Sequence, residues 1–184
     1  MQGPHRTSVT LVLGGVRSGK SRFALQLASR AVKVTFVATA RTSDGEMRRK
    51  IERHRLERPA HWRTREEPLK LAEAIIESEP TSEFVVIDCL TLFASNLMEA
   101  HGEDQEAIGI AIDALCVALG RPSRHIVLVS NEVGSGIVPA YAAGRQFRDL
   151  LGEMNQRVAA IADSVVLMVA GLPMWLKGGS EGRL

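Results

Sequence analysis

An α/β fold with a mostly parallel central sheet and helices on both faces is the architecture this sequence predicts, on three observations. Short β-branched runs, apolar on both faces, recur at 8–13, 33–38, 84–88, 125–130 and 164–170, the pattern of strands buried in a parallel sheet. Helix-compatible segments fall between them, at 20–30, 44–58, 68–77, 92–100, 105–119 and 140–162. Such alternation places helices on both faces of the sheet. Finally, the first apolar run leads straight into Gly14-Gly15-Val16-Arg17-Ser18-Gly19-Lys20-Ser21, which fits G-x-x-x-x-G-K-[ST] without mismatch. A strand, this loop and then a helix make the expected fold the P-loop NTPase type.

Each element brings its own chemistry to the rim where the strands end. After the first strand, the glycines let the backbone wrap an anion with its N–H groups inward, and the helix that follows adds the positive end of its dipole. Lys20 is placed to reach β- and γ-phosphates, and the Ser21 hydroxyl to ligate Mg²⁺. The strand at 84–88 ends in Asp88, where an acid in a P-loop protein holds Mg²⁺ directly or through water. Ligands of such sheets bind beyond the carboxyl ends of the strands, so 14–21, 39–43, 88–91 and 131–139 are expected on one rim.

The segment 43–65 is the unusual part. Ser43-Asp44-Gly45-Glu46 has capping-box spacing and predicts a helix start. Met47, Ile51, His54 and Arg58 then share a face by three-to-four spacing. Between Arg48 and Arg65 there are eight Arg or Lys and two Glu. On spacing alone, this is either a solvated basic helix or one that brings His54 and several arginines over a triphosphate. Arg forks match phosphate oxygens, and neutral imidazole is a competent nucleophile. Asn131-Glu132-Val133-Gly134, after the strand at 125–130, reads either as a ligand-contacting loop or as a turn that caps the next helix. Arg145, Arg148 and Asp149 read as a solvated helix face.

Bulk properties exclude several classes. The 184 residues suit one domain, with 1–7 and 178–184 expected as mobile tails. Aromatics are 4% against 45% hydrophobic residues, so the core must be aliphatic. A formal net charge of +2 gives no electrostatic case for a nucleic-acid or membrane partner. Cys89 and Cys116 form no C-x-x-C pair and suit a reducing cytoplasm. Neither a signal peptide nor a membrane span is read from the chain.

Several segments together resemble one family, the bifunctional adenosylcobinamide kinase / adenosylcobinamide-phosphate guanylyltransferases of cobalamin biosynthesis. The matching pieces are GGVRSGKSRFA at 14–24, VAT at 37–39 and DGEMRRKIERHRLERPAHWRTREEP at 44–68. DCLTLFASNL at 88–97, SNEVGSGIVP at 130–139 and FRDLLGEMNQRVAAIAD at 147–163 complete them, in order, from about Val9 to Lys177. The P-loop is shared by many enzymes; the His-Arg-x-x-Arg-Pro stretch with Trp62 and the NEVG-x-GIVP loop are far more specific. The resemblance implies two reactions at one nucleotide site. ATP or GTP phosphorylates the aminopropanol hydroxyl of adenosylcobinamide, and GMP then moves from GTP to that phosphate through a histidine–GMP intermediate, releasing pyrophosphate. His54 matches the histidine; where some relatives carry another just before it, this chain has Arg53. Nucleotide contacts are implied at Gly14, Gly15, Val16, Arg17, Ser18, Gly19, Lys20 and Ser21, at Ala38, Thr39 and Ala40, and at Arg55, Arg58, Glu66 and Asp88. A homotrimer is implied as well. Two other readings compete: a small-molecule kinase on the same core without guanylyl transfer, in which His54 is structural, and a nucleotide-dependent switch module.

Overall fold

The computed structural model describes residues 7–41, 55, 58–120 and 122–179. Seven strands form one sheet. They are β1 (Val9–Gly14), β2 (Val34–Ala38), β3 (Arg63–Glu66), β4 (Phe84–Asp88), β5 (His125–Val129), β6 (Ser164–Val169) and β7 (Leu172–Lys177). Their order is β3-β2-β4-β5-β1-β6-β7. All neighbouring pairs are parallel except β6 and β7. The helices are α1 (Lys20–Ala28), α2 (Leu71–Ser78), α3 (Leu90–His101), α4 (Gln105–Leu119) and α5 (Ala142–Ile161). None of the described helices is long and apolar enough to cross a membrane.

Alternation along the strands splits the core in two. Leu11, Val85, Ile87, Ile126 and Leu128 point to one face and pack with Leu71, Phe93, Leu97, Leu115 and Leu151 of α2 to α5. Val12, Val86, Val127 and Val166, one residue out of phase, point to the other and pack with Phe23, Ala24 and Ala28 of α1. Strands lined on both faces are continuous apolar runs, which is why five of them are readable from composition.

Two strands are not. β3 is Arg-Thr-Arg-Glu, three of its four residues exposed, and it lies in the stretch expected to continue a basic segment. As a short edge strand, it pairs among the described residues only with β2 and needs no apolar face. β7 follows the turn Ala170-Gly171, both residues at positive φ (51° and 83°), the primed turn that suits a hairpin. Ala170 in place of Asn or Asp conceals that signal. Pro173 is tolerated because β7 is an edge.

Helix ends move by a few residues. The segment expected from 68 starts at Leu71 because the Glu67 carboxylate accepts from Leu69 N (3.2 Å) and Lys70 N (2.9 Å) and holds the entry turn. α3 starts at Leu90 rather than 92. Most of the helix expected at 44–58, including His54, lies outside the described residues. Arg55 and Arg58 remain, joined by a bond from Arg58 N to Arg55 O at 3.3 Å. Of the expected tail, Gly178 and Gly179 are described. A Cβ on Gly178 would meet Ser164 Oγ at 2.5 Å, so this residue packs against the start of β6.

Candidate active site

Parallel strands bring their carboxyl ends to a common rim, and order decides what meets there. β5 lies between β1 and β4, so the loop after β1 and Asp88 at the end of β4 flank the Asn131 loop. All four expected rim segments begin at carboxyl ends of parallel strands.

The loop 14–19 is a compact cradle. Ser18 N donates to Gly15 O (3.3 Å) and Phe23 N to Gly19 O (2.9 Å), closing the turn and starting α1. Arg17 takes a left-handed φ of 57° and Gly19 a φ of 98°; successive N–H groups in such a turn converge on one point. α1 has no side-chain N-cap and no acid in its first turn, so the positive end of its dipole acts at the cradle without offset. Lys20 is buried and its Nζ donates to Gly15 O at 2.5 Å, folding the ammonium over the loop. Gly15, Val16 and Arg17 are exposed, and Ser21 is half-buried. Ser18 is buried, and its Oγ has no hydrogen-bond partner among the described residues. Its carbonyl accepts from Gly171 N at 3.0 Å, so the β6–β7 turn braces the cradle.

Gly14 has no room for a side chain. A Cβ there would meet Met168 O and Ser18 Oγ, each at 2.6 Å, with φ at 152°. Gly14→Ala is therefore expected to destabilise the protein by about 2 kcal/mol and to weaken nucleotide binding. A thermal melt and nucleotide titration unchanged from the parent protein would contradict this.

The remaining expected residues stand at or beside β2, β3 and β4. Arg58 lies over the Phe36 ring, 4.0 Å from its centroid, and donates to Thr64 Oγ1 at 3.2 Å. Burial holds its guanidinium below the usual arginine range; the Asp88 and, more weakly, Glu66 carboxylates pull it back up. The Asp88 and Glu66 carboxylates thus both act on Arg58. Glu66 is exposed at the end of β3, Asp88 is half-buried, and Arg55 is exposed.

Ala38 and Thr39 are buried and Ala40 half-buried. The Thr39 side chain faces inward: Oγ1 accepts from Cys89 N and donates to Cys89 O, both at 2.7 Å. Thr39 N donates to Asp88 O at 3.1 Å. What this stretch offers a ligand is therefore its backbone and its alanines. Burial, with Asp88 adjacent, pushes the Cys89 thiol up to about 11, so it is neutral near pH 7 and no nucleophile.

The Asn131 loop is held from three sides. Asn131 N donates to Thr91 Oγ1 (2.8 Å), Asn155 Nδ2 to Asn131 O (3.0 Å), and Glu132 N to Gly14 O (3.1 Å). The Glu132 carboxylate turns back into its own loop and accepts from Gly134 N (2.7 Å) and Ser135 N (3.4 Å). That favours the turn-forming role for Glu132. Arg145 likewise serves the loop, donating to Pro139 O (3.0 Å) and Ala140 O (2.8 Å). Arg148 pairs with Asp149 at 3.7 Å, as a solvated face does.

Sequence reasoning missed Asn96. It is buried on α3, and its Nδ2 donates to Thr39 O (2.8 Å) and Pro68 O (3.0 Å). The available signal was a polar residue beside the apolar stripe Leu90, Phe93, Ala94 and Leu97.

Comparison with known proteins shows the family. Residues 10–176 match the family model described as cobinamide kinase / cobinamide phosphate guanyltransferase. The chain is 44% identical over 169 residues to the bifunctional adenosylcobalamin biosynthesis protein CobP of Pseudomonas aeruginosa, covering 91% of this chain and 96% of that one. It is 40% identical over 178 residues to the corresponding protein CobU of Escherichia coli, covering 91% and 98%. A solved ATPase of a bacterial type III secretion system superposes with a TM-score of 0.55 at 12% identity, covering 87% of this chain and 50% of that one. A Pyrococcus horikoshii protein superposes at 0.51 and 9% identity, covering 95% and 88%. At such identities the two structures speak for the fold alone.

Proposed function

The chain belongs to the cobinamide kinase / cobinamide phosphate guanyltransferase family, the bifunctional enzymes of cobalamin biosynthesis, and we propose that its two reactions share the 14–21 cradle, with His54 carrying the guanylyl group. The observation that supports this reading is that the cradle, the Asn131 loop and Asp88 stand at the carboxyl ends of three successive parallel strands, β1, β5 and β4. In the first reaction the aminopropanol hydroxyl oxygen of adenosylcobinamide attacks the γ-phosphorus of ATP or GTP. The bond to the β-phosphate oxygen breaks, the nucleoside diphosphate leaves, and the hydroxyl proton passes to solvent. The cradle N–H groups and Lys20 hold the phosphates in line, and position counts for more than covalent chemistry in such transfers.

In the second reaction a neutral His54 nitrogen attacks the α-phosphorus of GTP, and pyrophosphate leaves. A phosphate oxygen of adenosylcobinamide phosphate then attacks the histidine-bound phosphorus, freeing His54 and giving adenosylcobinamide-GDP. Arg55 and Arg58 offset the charge growing on the departing pyrophosphate.

Ser21 and Asp88 fit a Mg²⁺ ion. Among the described residues no group of three or more His, Cys, Asp or Glu could cage a metal. A hydroxyl and one carboxylate are the sparse donor set of an ion held mainly by substrate phosphates and water. When bound, it would neutralise phosphate charge. Asp88→Asn keeps the size and removes the charge, so half-maximal activation is expected at a several-fold higher Mg²⁺ concentration. If the titrations of mutant and parent overlay, Asp88 is a helix-entry residue and no ligand. We further propose a homotrimer, on the family resemblance.

Incubation with α-labelled GTP and Mg²⁺ tests the reading. Acid-labile, base-stable label on the protein, mapping to His54, is expected. Neither a simple kinase nor a nucleotide switch produces it, and its absence under turnover conditions would refute guanylyl transfer through histidine.

A further inference from the structure

We propose that Asn96 is a positioning residue whose buried carboxamide, donating to Thr39 O and Pro68 O, holds the Thr39–Cys89 clasp and so fixes the Asp88 carboxylate on the rim. The inference rests on the reading of Asp88 as a metal-nucleotide residue.

The geometry is specific. Asn96 is 6% exposed, and its amide nitrogen meets Thr39 O at 2.8 Å and Pro68 O at 3.0 Å, which uses both of its N–H bonds. Thr39 has no exposed surface, and every polar group on it is committed: N to Asp88 O, Oγ1 to both Cys89 N and Cys89 O, and O to Asn96. The second acceptor, Pro68 O, lies two residues beyond Glu66, and Glu67 N donates to Ala38 O at 2.9 Å. One amide, from the second turn of α3, therefore ties the carboxyl end of β2 and the segment after β3 to the helix that starts just after Asp88 and Cys89. Ala38–Ala40 and Glu66 lie at those strand ends, and the Thr39–Cys89 clasp links them to Asp88.

A buried amide that served only packing could be replaced by an apolar side chain of like shape with loss of stability alone. Positioning makes a different prediction. Without Asn96 the Thr39 carbonyl loses its partner, the clasp can shift, and Asp88 with it. Asp88 is the residue through which the loss should be felt.

The measurement is binding of a fluorescent GDP analogue across a Mg²⁺ titration, with no turnover. Asn96→Ala is expected to raise the Mg²⁺ concentration for half-maximal tightening by about tenfold, within the range of coupling between residues in contact. Thr39→Val, which keeps shape and removes the clasp hydroxyl, should do the same, and Thr39→Ser should restore the parent value. In an Asp88→Asn background, Asn96→Ala should add less than about twofold, since the two act through one group. Thr39→Val and its Ser rescue carry the test if Asn96→Ala does not fold. A Mg²⁺ response that Asp88→Asn shifts but Asn96→Ala and Thr39→Val leave alone overturns the inference by itself. Full additivity of the double mutant also overturns it. A response unmoved by Asp88→Asn overturns the reading of Asp88, and the inference with it.

Discussion

Lys20→Ala is expected to lower both the kinase and the guanylyl-transfer rate by on the order of a hundredfold or more, the usual cost of removing one preorganised charge-stabilising group. In the reading proposed above, both reactions need the same triphosphate held in the same cradle. Lys20 is 8% exposed, and its ammonium already lies over the loop at Gly15 O; with nucleotide present it is expected to exchange that carbonyl for phosphate oxygens. The fold should survive. The cradle is kept by Gly14 at the end of β1, by Ser18 N to Gly15 O, and by Gly171 N to Ser18 O, none of which needs the side chain. Lys20→Arg should not rescue, because the planar fork is larger than the ammonium in a buried site and offers a different geometry. Steady-state rates for both reactions, beside a thermal melt, decide the matter. Loss of one activity with the other at parental rate would mean that the two reactions do not share the cradle.

What was legible in the sequence follows from which features leave a local mark. The cradle needs glycine at positive φ and at close approach, as Gly14 and Gly19 show, so its signature is contiguous. The five inner strands are apolar on both faces because helices cover both sides of the sheet. Asp88 stands at the end of such a run. β3 and β7 left weaker marks: an edge strand borrows its order from a neighbour, and Arg63–Glu66 has no apolar residue to show it. The grouping of Arg58, Glu66 and Asp88 is a product of strand order, which sequence spacing does not encode. Asn96 was hidden for a related reason. Its partners, Thr39 and Pro68, lie 57 and 28 residues away, and only the folded rim brings them to it. The rival readings of the Asn131 loop were separable only by seeing the Glu132 carboxylate close on its own backbone.

His54→Ala is expected to abolish protein-bound GMP and guanylyl transfer while phosphorylation of adenosylcobinamide survives. The two outcomes separate because the nucleophiles differ. As proposed, the first reaction uses the substrate's own hydroxyl and asks of the protein only the cradle, Lys20 and Asp88. The second needs a side chain that can accept the guanylyl group and release it, and imidazole suits both steps. The histidine is set in a stretch with eight Arg or Lys between Arg48 and Arg65, and attack requires its neutral ring. Labelling of the parent protein by α-labelled GTP should fall at acid pH as the ring protonates. The sign follows from the chemistry, since protonation removes the attacking lone pair. His54→Asn keeps polarity without nucleophilicity and should behave like the alanine variant. Covalent label persisting in His54→Ala, for instance on the exposed His61, would move the carrier role to another residue. Loss of both activities together, in a protein that still melts like the parent, would mean that the His54 segment serves the nucleotide site as a whole.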